Sequence, residues 1–242
     1  MDLNIIVAHL ESLEETIISK LIDRVQFKLN PVIYQPGNSG FVGAEGKSLF
    51  EIRLLFQEEM DAQFGRYSQP EERPFNKNLP EPKRRVSTAA PELYISDYNQ
   101  INLTAQIMKS YLNLVMEICP DGDDKQYGSS VVADVYAFQA ICERIHFGSF
   151  FVAESKIQSN FETYSQLIKE KNKEALMNLL TRKEVEDRII LRVKEKLAYA
   201  QAKVNTAIRT TINPDIILQF YRDHIIPLTK EGEILYLLNR II

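Results

Sequence analysis

Two basic side chains stand twelve positions apart in an otherwise apolar stretch, Arg144-Ile-His-Phe-Gly-Ser-Phe-Phe-Val-Ala-Glu-Ser-Lys156. Two cations on one apolar helix are expensive to bury unless an anion meets them. Three groups that could share their site come later: Glu186, then Thr229 and Glu233 in Ile-Pro-Leu-Thr-Lys-Glu-Gly-Glu. Thr229 and Glu233 are four apart and so share a helix face, as do Arg182 and Glu186. Together these groups read as a site for a small, multiply charged anion. Taken alone, each four-apart pair is more often a solvated helix surface than a site. His146 follows Arg144 by two residues, and a lone histidine is more often a satisfied core group than a catalyst. No Ser-His-Asp order, Gly-rich phosphate loop or Cys/His metal spacing is visible. Nucleophilic and metal catalysis are therefore unsupported, and no cofactor or metal is expected.

The elements that must position these groups are helical. Ile6, Leu10, Leu13, Ile17 and Leu21 advance by three or four, which predicts one amphipathic helix over residues 3–26. Pro31 and Pro36-Gly37-Asn38-Ser39-Gly40 end it in a loop. Ser48 to Tyr67 reads as a second helix, with Ser48 and Glu51 as a capping box. Residues 68–98, rich in proline and polar groups, read as a long surface loop. Ile101 to Ile118 is helical, Pro120 to Asp124 a turn, and a long helix starts at Ser129 or Ser130 and runs to about Gln158. Shorter helices follow over Thr163–Lys171, Lys173–Leu180 and Lys183–Lys203. Asn213 caps a helix running to about Ile225, with Pro214 in its first turn, and Pro227 opens the last. No strand-like alternation and no repeat is present. The expectation is an all-α, multi-helix bundle, one domain over residues 1–242, with one long central helix.

Composition narrows the function classes. A 242-residue chain with 45% hydrophobic and 26% charged residues is an ordinary globular sequence. A formal net charge of -4 argues against a nucleic-acid binder. Cys119 and Cys142, both in apolar helical context, read as reduced core thiols. No signal peptide or membrane span is seen, so a cytoplasmic protein is expected.

In order along the chain, the pieces form a recognisable set. They are Leu13-Glu-Glu-Thr-Ile-Ile-Ser-Lys-Leu-Ile-Asp-Arg24, Arg144-Ile-His-Phe-Gly148, Val152-Ala-Glu-Ser-Lys-Ile-Gln-Ser159 and Ile226-Pro-Leu-Thr-Lys-Glu-Gly-Glu233, with Tyr236-Leu-Leu following. Over most of its length the chain resembles the eukaryotic, allosterically regulated branch of the all-helical chorismate mutases. The resemblance implies a Claisen rearrangement of chorismate to prephenate, feeding phenylalanine and tyrosine synthesis. That reaction is unimolecular and needs no nucleophile, metal or cofactor. The enzyme holds a flexible dianion in its reactive conformer and stabilises charge on the ether oxygen. By the same resemblance, Arg144 grips a substrate carboxylate and Lys156 reaches the ether oxygen and a carboxylate. Glu186 accepts from the ring hydroxyl, Thr229 donates to a carboxylate, and Glu233 acts protonated beside the ether oxygen. A homodimer is implied as well.

Three departures from the family pattern carry expectations of their own. Val7 stands where the family has an arginine, a loss of roughly 2 to 5 kcal/mol if the partner charge stays buried. Arg182 stands where the family has an asparagine; it either replaces the missing charge as a substrate-binding group or faces solvent. Arg144 and Lys156 are one residue further apart than in the family. At about 100° per residue, twelve positions leave their side chains about 120° apart on a regular helix. A π-bulge near Gly148 to Phe151 would absorb the extra residue. The family's effector site for aromatic amino acids is matched by Gly128, Ser129 and Arg66. However, Gly65 replaces a second arginine and Val132 a threonine, so weak or absent inhibition by tyrosine and activation by tryptophan are expected. Arg192 and Lys196 match basic residues behind the active-site helix. Two further classes remain beside the enzyme: a mutase-fold protein that binds a ligand or partner with little or no catalysis, and a helical scaffold for partner helices.

Overall fold

A computed structural model of the chain describes residues 2–87 and 93–241. Residues 88–92, inside the expected surface loop, lie outside the described residues. Among the described residues there are ten α-helices and no strand. In chain order they are α1 (Leu3–Arg24), α2 (Leu49–Phe64), α3 (Thr104–Ile118), α4 (Tyr127–Phe147), α5 (Ala153–Ser159), α6 (Phe161–Lys169), α7 (Lys173–Leu180), α8 (Lys183–Gln201), α9 (Pro214–Phe220) and α10 (Ile226–Asn239). No helix among them is long and apolar enough to cross a membrane.

Local chemistry sets the helix ends. Asp2 caps α1 by accepting from the Asn4 amide. The capping box at Ser48 and Glu51 is present and starts α2 one residue later, a feature worth about 1 kcal/mol. Gly65 ends α2 in the left-handed region at φ 84°, where a side chain would be strained. This accounts for the glycine beside Arg66 and makes the second helix shorter than expected. Asn213 caps α9 with Pro214 in its first turn.

The long central helix is continuous from α4 to α5 through a π-helical turn, Gly148–Val152, where the spacing of Arg144 and Lys156 predicts one. A second π-turn, Tyr221–Ile225, joins α9 to α10. The expectation that Pro227 opens a separate helix is therefore corrected. Proline lacks an N–H, but the wide turn before it, with Ile226 N–H bonded to Tyr221 O five residues back, lets the helix pass through.

Helix α1 lies along α4, and Ile17, Ile18 and Leu21 of α1 join most of the buried apolar residues of α4 in the largest hydrophobic cluster, which also takes in α3, α8 and α9. A second cluster joins the π-turn and α5 to α6, α7 and α10. A small third one, Ile6, Leu10, Leu13 and Phe147, seals the start of α1 against the end of α4. One fully buried ion pair fixes α1 on α4: Arg24 Nε lies 2.6 Å from Asp134 Oδ1. Tyr34 and Tyr111 donate to the same carboxylate at 2.8 and 2.7 Å, so the buried charge is fully satisfied. His146 is likewise structural. It is fully buried, its Nδ1 faces Cys142 O at 2.7 Å and its Nε2 accepts from Leu103 N–H at 3.0 Å, tying α4 to the start of α3.

Candidate active site

Arg144 enters from the last turn of α4 and is 3% exposed. Its Nε and Nη1 are buried with no hydrogen-bond partner. Burial pushes the guanidinium pKa down, while Tyr221, Glu14 and Glu233 work against that shift. A buried cation with idle donors is costly, and an anion reaching this corner would satisfy them.

Gly148, the first residue of the π-turn, shows how tightly the corner is assembled. A Cβ there would lie 2.6 Å from Thr229 Cγ2, 3.3 Å from Arg144 Nη1 and 3.8 Å from Leu10 Cδ2. Helices α1, α4 and α10 thus converge on one point. Val7, three residues before Leu10 on the same face of α1, is exposed at the edge of this corner. Thr229 is nearly buried, and its hydroxyl donates to Ile225 O at 2.7 Å. Donation to a ligand requires trading that bond.

From the far side of the π-turn, Lys156 Nζ reaches Glu233 Oε2 at 2.8 Å and lies 3.4 Å from Leu180 O. The extra residue between Arg144 and Lys156 is absorbed, and both cations face α10. Glu233 is 4% exposed. Burial raises its pKa above the usual carboxylate range; Lys156 in particular, then Arg144 and Lys230, pull it back.

Glu186, on the first turns of α8, accepts from Lys230 Nζ at 2.9 Å. Lys230 also lies 3.5 Å from Thr181 Oγ1. Arg182 occupies the N-cap position of α8, is exposed, and forms no ion pair among the described residues. Buried Tyr164 lies within electrostatic reach of both Glu233 and Arg182, and its pKa is pushed up to about 12, by burial first and Glu233 second. Five sequence-derived residues, Arg144, Lys156, Glu186, Thr229 and Glu233, therefore lie around α10, while Arg182 is exposed at the N-cap of α8 within electrostatic reach of Tyr164.

Behind Arg144, the fully buried Glu14 accepts from Arg192 at 2.8 and 2.6 Å and lies 3.5 Å from Lys196 Nζ. This network holds α1 against α8. Tyr221, in the second π-turn, is fully buried with an unpartnered hydroxyl, and burial pushes its pKa up. Sequence reasoning missed Lys230 and Tyr221. Lys230 is one residue off the Thr229–Glu233 face, so spacing alone assigns it to solvent.

The effector residues do not meet within one chain. Arg66 is held by Asp61 and Glu72 at 2.9 Å each and donates to Gln139 Oε1 at 2.9 Å. Gly128 and Ser129 are exposed in the first turn of α4, about 16 Å along the helix from Gln139.

Comparison with known proteins defines the class. The chain is 35% identical over 235 residues to a chorismate mutase of Schizosaccharomyces pombe, spanning 95% of this chain and 92% of that protein. It is 36% identical over 238 residues to a chloroplastic chorismate mutase of Zea mays, spanning 95% and 75% of the two. Among solved structures, a chorismate mutase from Candida albicans in complex with L-Trp superposes with a TM-score of 0.90 at 35% identity, covering 99% of this chain and 91% of that one. The chloroplast chorismate mutase from Zea mays superposes with a TM-score of 0.85 at 36% identity, covering 98% and 94%. No family profile matches the chain. The fold is that of the all-helical chorismate mutases, which are isomerases. The chain belongs to the chorismate mutase family.

Proposed function

We infer that this chain is a chorismate mutase and rearranges chorismate to prephenate, and we propose that Arg144, Lys156, Glu186, Thr229 and Glu233 carry the reaction. The observation that supports the site most strongly is the buried Arg144 guanidinium with idle Nε and Nη1 donors. It suits a substrate carboxylate, which would take both donors in a charge-assisted contact. Lys156 leaves Glu233 for the ether oxygen as charge develops there. Glu233, already raised by burial, gains a proton when the dianion enters and donates a hydrogen bond instead of repelling it. Glu186 accepts from the ring hydroxyl. Arg182, exposed at the rim, attracts the incoming dianion. The test is consumption of chorismate by the purified protein with prephenate identified as product, alongside Arg144→Leu. Turnover that survives Arg144→Leu would sink the assignment.

Several partners follow as parts of the same reading. Solved relatives carry L-Trp in a complex, or phenylalanine or tyrosine in an allosteric site. An aromatic amino acid would bind this chain weakly, because Arg66 is occupied by two carboxylates and Gly65 offers no second cation. A homodimer is supported by an exposed apolar stripe on α2, Phe56, Met60 and Phe64, with Phe41 packed on Phe56 at 5.9 Å. We place the protein in the cytoplasm; relatives in Zea mays and Petunia hybrida are chloroplastic.

A further inference from the structure

A dianion needs two positive charges, and the site offers fewer than its lysines and arginine suggest. Lys156 faces Glu233 at 2.8 Å and Lys230 faces Glu186 at 2.9 Å. Arg144 alone has no carboxylate in contact. With Glu233 ionised, these five groups sum to one net positive charge; with Glu233 protonated they sum to two. Without Lys230 the second sum falls back to one. Val7 supplies no charge on α1, and Arg182 is exposed at the rim.

Lys230 is well placed to fill that gap. Its side chain is 19% exposed, and it follows Thr229 directly on α10. One ammonium hydrogen is taken by Glu186 and a second has only a long contact, 3.5 Å, with Thr181. The third is free for a ligand. We propose that Lys230 is the second fixed cation of the substrate site, taking over the charge of the arginine that α1 lacks at Val7, with its Glu186 ion pair holding the ammonium in place. This rests on the reading of the site as one for chorismate.

The groups facing Glu233 are Lys156 from α5, Arg144 from α4, Lys230 from α10 and Tyr164 from α6. Lys230 favours the ionised form of Glu233, so its removal moves the alkaline fall of activity to higher pH. A lysine out of electrostatic reach of Glu233 would leave that fall where it is; the KM effect is what separates substrate binding from an effect on Glu233 alone.

The experiment compares chorismate turnover by the wild-type protein, Lys230→Gln, Lys230→Arg and Arg182→Ala. Wild-type turnover establishes the substrate, so absent turnover there condemns the chorismate reading separately. Lys230→Gln is expected to raise KM about tenfold to hundredfold with a smaller change in kcat, and to shift the alkaline limb upward. Lys230→Arg should recover much of the affinity, which separates charge from misfolding. Arg182→Ala should change KM less than Lys230→Gln. An unchanged KM in Lys230→Gln, a fixed alkaline limb, or a larger KM effect from Arg182→Ala would overturn the proposal.

Discussion

Gly232→Ala probes the contact that lets the π-turn lie against α10. An alanine Cβ at position 232 would lie 1.9 Å from Ser149 Oγ and 2.6 Å from Ser149 Cβ, with Leu103 Cδ1 at 3.2 Å. Turning the serine hydroxyl away relieves only the first contact. The Cβ to Cβ distance must still open by about 0.8 Å to reach ordinary contact at 3.4 Å, and neither atom can rotate aside. The π-turn and α10 must therefore separate by about 1 Å in a close-packed region. Overpacking of this kind costs about 1–3 kcal/mol. Replacing a mid-helix glycine returns about 1 kcal/mol, so the net loss of stability is about 0–2 kcal/mol. The effect on catalysis is larger. Glu233 is the next residue, and a misplacement of about 1 Å lowers turnover roughly 100-fold. The assay is kcat/KM for chorismate together with urea unfolding. Gly232→Ala combined with Ser149→Gly removes both clashing atoms and should recover most of the activity, a coupling that a double-mutant cycle measures. Near wild-type kcat/KM in Gly232→Ala, or a double variant no better than the single one, would refute the reasoning.

Two further outcomes follow from the structure. His146 is buried neutral, and loss of hydration holds its pKa near 3 against the usual 6.5. The unfolded chain binds this proton more readily than the folded one, so the stabilisation is complete above pH 6.5. It declines as pH falls toward 3, with a slope of about 1.4 kcal/mol per pH unit. Urea unfolding between pH 4.5 and 7 should show a slope that His146→Gln makes shallower by about one proton; equal slopes would place the titration elsewhere. Tyrosine and tryptophan at millimolar concentration should change the chorismate rate little, since Arg66 is already paired within its own chain. Strong inhibition or activation would show that the ion pairs yield to an effector.

Much of the fold is legible because helical periodicity depends only on local spacing. The stripes of α1 and α8 and the caps at Ser48 and Asn213 can be read without knowing what they pack against. The first π-turn is legible for a different reason: Arg144 and Lys156 stand one residue further apart than in the chorismate mutases the chain resembles, and a π-turn absorbs one residue. The second π-turn, Tyr221–Ile225, offers no such mismatch, and Pro227 points to a break that the widened turn avoids. Lys230 stayed hidden because its role comes from α8 approaching α10, a tertiary contact that spacing within α10 does not encode. Arg182, four before Glu186, is exposed at the N-cap of α8 with no ion pair among the described residues, yet it lies within electrostatic reach of buried Tyr164. Arg66 is a matched residue whose neighbours Asp61 and Glu72 alter what it can bind.

The measurement closest to the central claim is kcat/KM for chorismate across a pH series, for the wild-type protein and Glu233→Gln. The proposed role of Glu233 requires it to be protonated when the substrate's ether oxygen gains charge, and burial already pushes its pKa upward. The predicted result is prephenate formation that falls at alkaline pH in the wild type and a flatter alkaline limb in Glu233→Gln. The same alkaline limb in both proteins, or no prephenate from the wild type at any pH, would contradict the account.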